Sequence, residues 1–83
     1  MATAVMTLPP PADGMSYAAE EVAAICGVEV KTVRQWIWRG KRSAKRKGFR
    51  RLTSLATPRG HVAPRELCDW MSEVNGIRVA LKA

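Results

Sequence analysis

The sequence predicts a mainly α domain with a small β-hairpin. Three observations predict it. Two short amphipathic segments are separated by only three residues, a run of β-compatible residues is broken by a Pro-Arg-Gly turn, and a full apolar helical stripe follows. With 83 residues, the chain suits one small domain, which buries roughly 60% of its unfolded surface.

Residues 1–15 are expected to form a disordered leader, because they hold three consecutive prolines, small residues and no periodicity. Ser16 is expected to cap the first helix. Ala19 stands where a capping box wants an acid, and Glu20 comes one place later. Val22, Ala23, Ile25 and Cys26 give that helix its apolar face, and Gly27 suits a left-handed end. The second helix is expected from Val30 to Arg39, with Val33, Trp36 and Ile37 inward and Lys31, Arg34, Gln35 and Trp38 outward. Its link to the first helix, Gly27-Val28-Glu29, has the length of the turn in a helix-turn-helix.

After Gly40, the run from Lys41 to Gly48 is expected to be basic and flexible. Phe49–Thr57 and His61–Ala63 are expected to pair as a hairpin about Pro58-Arg59-Gly60. Pro64 then opens a third helix, with Glu66 in its first turn and Leu67, Trp70, Met71 and Val74 on one stripe. The order helix, helix, hairpin, helix is that of a winged helix-turn-helix over residues 16–76. The tail, residues 77–83, alternates large apolar residues with Arg78 and Ala80. Two readings stand for it: contact with a partner, or a tail that folds back on its own core or frays.

Charge narrows the function. The net charge is +7, and twelve of the fourteen basic residues lie between Lys31 and Arg65, a stretch without a single acid. Such a block repels itself until a polyanion neutralises it, and the counterions released then favour binding. Double-stranded DNA is the expected partner. No apolar run reaches membrane-spanning length, and Met1 to Thr7 lacks the basic start of a signal peptide. A cytoplasmic, nucleoid-associated protein of a bacterial host is expected, with no membrane partner. Cys26, Cys68 and His61 do not make a four-ligand zinc set. No phosphate loop, carboxylate pair or nucleophile elbow is present. Neither a metal, a cofactor nor an enzymatic activity is expected.

Glu21-Val22-Ala23-Ala24-Ile25-Cys26-Gly27-Val28, followed by Lys31-Thr32-Val33-Arg34-Gln35-Trp36-Ile37 and Gly40-Lys41, resembles the MerR-like winged helix superfamily. Within it, Thr32 to Ile37 is most similar to phage excisionases, the recombination directionality factors. The resemblance spans roughly Ser16 to Val74. It departs from the family at Glu29, at Arg42 and in the longer run from Gly40 to Leu52. It implies an architectural protein that binds neighbouring repeats of an attachment site, bends the DNA and helps an integrase excise a prophage. The partners implied are DNA, further copies of the chain and a phage integrase. It also implies base or backbone contacts at Lys31, Arg34 and Gln35.

The candidate DNA-binding set is Lys31, Thr32, Arg34, Gln35, Arg39, Lys41, Arg42, Lys45, Arg46, Lys47, Arg50, Arg51 and Arg59. A helix in the major groove lets Gln35 pair with adenine, and Arg34 or Lys31 reach guanine or a phosphate. Arg50, Arg51 and Arg59 are expected beside the minor groove, with Arg59 at the wing tip, while Lys45, Arg46 and Lys47 are expected on phosphates. Trp36 and Trp70 are expected in the core. Trp38 is expected at the core rim under the basic loop, or else on DNA or protein. A small transcriptional regulator is one alternative function. A terminase small-subunit module is another, though it calls for a long oligomerisation helix that the residues after Gly76 do not supply.

Overall fold

Glu21, rather than Ser16, organises the start of the first helix. In the computed structural model, which describes residues 5–44, 47–57 and 59–81, α1 (Ala19–Cys26) begins after Ala18. The Ala18 N–H donates to Glu21 Oε1 at 3.0 Å, and the Ala12 N–H donates to Oε2 at 2.9 Å. One carboxylate thus caps the helix and ties down the chain before it. The expected cap at Ser16 is corrected: that residue is 2% exposed, and its Oγ lies 2.9 Å from His61 Nδ1. A serine so buried needs a side-chain partner, and the imidazole supplies it.

Gly27 closes α1 with φ of 70°, and the Val28 N–H donates back to the Ala23 carbonyl at 3.0 Å. That closure turns the chain within three residues into α2 (Val30–Trp38). Val33 and Trp36 of α2 are buried against Val22 and Ala23 of α1 and the rest of the core. The third helix, α3 (Pro64–Asn75), has Pro64 in its first turn and buries Leu67, Trp70, Met71 and Val74. The rings of Trp36 and Trp70 lie 4.9 Å apart, tilted by 39°. An aromatic pair of this kind adds about 0.5–1.5 kcal/mol beyond its buried area.

The hairpin forms earlier than the sequence suggests. β2 (Lys41–Arg42) pairs antiparallel with β3 (Phe49–Arg50), with Lys41 opposite Arg50 and Arg42 opposite Phe49. The Ser43 N–H closes the loop on the Gly48 carbonyl at 3.0 Å. The run expected to be a flexible linker therefore supplies the first strand. The expected pairing of Phe49–Thr57 with His61–Ala63 is reduced, among the described residues, to one bond, from the Leu55 N–H to the His61 carbonyl at 2.7 Å. The reason is Leu52, fully buried, whose N–H donates to the Trp36 carbonyl at 3.0 Å. The core pulls the chain out of the ribbon there. Val62 pairs instead with Tyr17, in an isolated antiparallel bridge.

The first and last strands meet. β1 (Val5–Leu8) runs parallel to β4 (Arg78–Leu81), from Val5 beside Arg78 to Leu8 beside Leu81. The expected disordered leader is corrected from Val5 onward: Leu8 is fully buried, and Pro9 to Pro11 follow the strand rather than replace it. Residues 1–4 lie outside the described residues. The tail, for which contact with a partner was one reading, pairs with the chain's own first strand, and Val79 joins the core. Among the described residues, no helix is long and apolar enough to cross a membrane.

Candidate nucleic-acid interface

The burial of Val33 and Trp36 fixes which side of α2 faces outward. Lys31, Arg34, Gln35 and Trp38 are all exposed, as helical spacing demands. Lys31 lies 3.7 Å from Glu29, with both side chains more than 70% exposed. Screening leaves such a pair worth well under about 1 kcal/mol, so Glu29 does little to hold the ammonium. Thr32 is half-buried in the first turn, and its N–H donates to the Glu29 carbonyl at 3.0 Å.

Arg34 and Arg59 line one groove of about 630 Å³, shared with Glu20, Ile37, Ser54 and His61. The structure thus brings a helix cation together with the turn cation that was expected at the wing tip. Arg59 lies not on the β2–β3 ribbon but in a separate turn beside Gly60. Lys45, Arg46 and Pro58 lie outside the described residues. Lys47 and Arg42 are exposed on the ribbon, and Arg51 is exposed just beyond it, its Nε donating to the Ile37 carbonyl at 3.2 Å.

Two expected contacts turn inward. Lys41 is half-buried, with its ammonium 5.2 Å from the centre of the Trp36 ring, a cation–π geometry. Arg50 is clamped between acids of α3. It donates to Glu66 at 2.9 and 3.3 Å and also pairs with Glu73. Burial pushes the Glu66 carboxyl up, but hydrogen bonds from Arg50 and the Thr53 N–H, with the guanidinium charge, bring it below its usual range. Donating to Glu66 likewise holds Arg50 protonated. Arg50, expected beside the minor groove, is thus engaged by two acids of α3. The acids after residue 65 gave the signal, since Glu66 and Glu73 stand seven residues apart, nearly two turns of α3, and so share one face.

Trp38 differs too. It is 73% exposed, with the Arg39 guanidinium 5.8 Å from its ring, so it does not pack at the core rim. Cys26 and Cys68 are free, half-buried thiols, both pushed up by burial, and the Cys68 thiol donates to the Val79 carbonyl. What remains outward is a helix face bearing Lys31, Arg34 and Gln35, flanked by the exposed cations Arg39, Arg42, Lys47, Arg51 and Arg59. Compared with protein-family models, with curated proteins and with solved structures, the chain finds no match.

Proposed function

We propose that the chain is a sequence-specific DNA-binding protein of the winged helix-turn-helix kind and acts as a phage excisionase. One observation carries the DNA-binding reading. The outward side of α2 bears Lys31, Arg34 and Gln35 beside a basic ribbon, with no acid between Val30 and Arg65. In this reading α2 enters the major groove, where Gln35 reads adenine and Arg34 reads guanine or grips a phosphate. The ribbon is the wing and follows the adjacent backbone through Arg42 and Lys47.

The excisionase assignment is carried by the resemblance of Thr32 to Ile37. A domain this small covers few base pairs, so specificity needs several copies on neighbouring sites, or an integrase alongside. The protein has no chemistry of its own in this role; it shapes DNA for an enzyme that cuts it. Gel shifts and footprints across an attachment region, on circularly permuted probes, test the reading. A ladder of shifted bands with a bend supports it. Occupancy confined to a promoter, without a bend, makes the chain a repressor instead.

A further inference from the structure

The β2–β3 ribbon has two unlike faces. Lys41 and Arg50, opposite each other, turn toward the domain, Lys41 onto Trp36 and Arg50 onto Glu66 and Glu73. Arg42 and Phe49, the next pair, turn away, and Phe49 is 70% exposed. Singly exposed apolar side chains are ordinary on a protein surface; what sets Phe49 apart is its place on the ribbon, outside the core cluster and away from α2. Its surroundings are cationic: Arg42 across the ribbon, Lys47 two residues before it and Arg51 two residues after it, all exposed.

The ribbon is also rigidly mounted. The Arg50 carbonyl accepts from Trp70 Nε1 at 2.9 Å, and the Ala44 N–H donates to the Val74 carbonyl at 3.2 Å. Ser43 Oγ donates to the Glu73 carbonyl at 3.3 Å. The second strand and the start of the loop are thus tied to α3 on one side while Phe49 stands out on the other. An apolar side chain set in a basic frame on a braced ribbon matches the requirement for prising a base step apart, where the unstacking cost must be borne without the wedge giving way.

We propose that Phe49 is a wedge that enters a base step of duplex DNA from the minor groove, with Arg42 and Lys47 on the flanking phosphates. The inference rests on the DNA-binding reading and adds to it a means of bending that α2 does not supply. Cations alone favour any polyanion, whereas an exposed ring among them favours one with a stack to open.

The test uses the full chain and a duplex that the wild type selects from a random pool, with 2-aminopurine placed at each adenine in turn. Wild type should raise the fluorescence severalfold at one step and bend permuted probes by roughly 20–90°. Phe49→Ala should abolish both signals and weaken binding about tenfold, while Phe49→Leu should restore much of the bend. Because Phe49 is exposed, all three proteins should melt alike, which separates wedge loss from unfolding. Bending and unstacking by Phe49→Ala equal to wild type would overturn the wedge and leave the DNA-binding reading standing. Selection of no duplex by the wild type would overturn both.

Discussion

The Arg50 guanidinium and the Glu66 carboxylate meet fork to fork, Nη1 donating to Oε2 at 2.9 Å and Nη2 to Oε1 at 3.3 Å. Glu66 Oε2 also accepts the Thr53 N–H at 3.0 Å, and Arg50 Nε pairs with Glu73. One acid of α3 therefore anchors both the ribbon and the chain leaving it. Each side chain is less than a quarter exposed, so the pair lies between the nearly worthless surface bridge and the costly buried one. Glu66→Ala should lower stability by about 1–3 kcal/mol, read from urea midpoints at constant slope. An unchanged midpoint would show that the clamp holds nothing.

Acid should loosen the same joint. The Glu66 carboxyl titrates below its ordinary value of 4.5 in the folded protein. Folded pKa below unfolded pKa means that the contribution is fully present above the unfolded value and is lost as pH falls through the folded one. Asp13, lowered by accepting the Ser16 and Met15 N–H groups, has the same sign. Urea midpoints measured from neutral pH downward should fall below the ordinary carboxylate range. Glu66→Gln should start lower and flatten that decline, and a parallel decline would move the acid sensitivity to other carboxylates.

Leu8 makes the first strand a structural element. Leu8→Ala should cost about 2–4 kcal/mol, because it removes a fully buried side chain from the core beneath the β1–β4 pair. Met15→Ser, at a residue 79% exposed, should change stability by less than about 0.5 kcal/mol. Removing residues 77–83 should destabilise the domain itself, since β1 loses its partner and the core loses Val79. A deletion that alters cooperativity on DNA and leaves the melt unchanged would restore the tail to a partner surface.

The helices were legible because their signals are local. The stripe Leu67, Trp70, Met71, Val74 and the stop at Gly27 each lie within a few residues, and all four stripe residues are buried. The β1–β4 pairing joins Val5 to Arg78, and nothing near either residue announces the other. Pro9 to Pro11 reads as disorder, whereas the strand before it is short enough to end there. The ribbon was misplaced for a related reason. β-propensity points to Phe49–Thr57, but burial of Leu52 and the two-residue strands of the ribbon decide where pairing stops. Of the candidate interface, the outward face of α2 followed from periodicity, while the inward turn of Arg50 and Lys41 depended on partners contributed by other elements.

Gly40 is where α2 hands over to the ribbon, at φ of 93°. A Cβ there would stand 2.8 Å from both the carbon and the oxygen of the Arg50 carbonyl, which are backbone and cannot swing aside. Gly40→Ala combines that clash with an unfavourable left-handed conformation and should cost more than about 1 kcal/mol. Gly60→Ala shares the positive φ but meets open space, so it should cost less. Thermal melts of the two variants give the comparison, and equal losses would reduce the Gly40 effect to conformation alone.

Base reading and phosphate gripping should separate by residue. Gln35 is exposed on α2, and its amide suits adenine. Gln35→Ala should cost about 1–3 kcal/mol on the preferred duplex, little on others, and relax preference at one base pair. Lys47 is exposed on the ribbon loop, where the proposed reading sets it on a phosphate and not on a base edge. Lys47→Ala should weaken all duplexes alike and reduce the slope of log affinity against log salt by about one. For the wild type, about six phosphate contacts would make affinity drop on the order of a thousandfold between about 50 and 200 mM salt. Arg50→Ala, measured where the variant remains folded, should leave that slope unchanged because its guanidinium already belongs to Glu66 and Glu73. A lowered slope for Arg50→Ala would return that residue to the groove. A preference relaxed by Lys47→Ala but not by Gln35→Ala would exchange the roles of ribbon and helix.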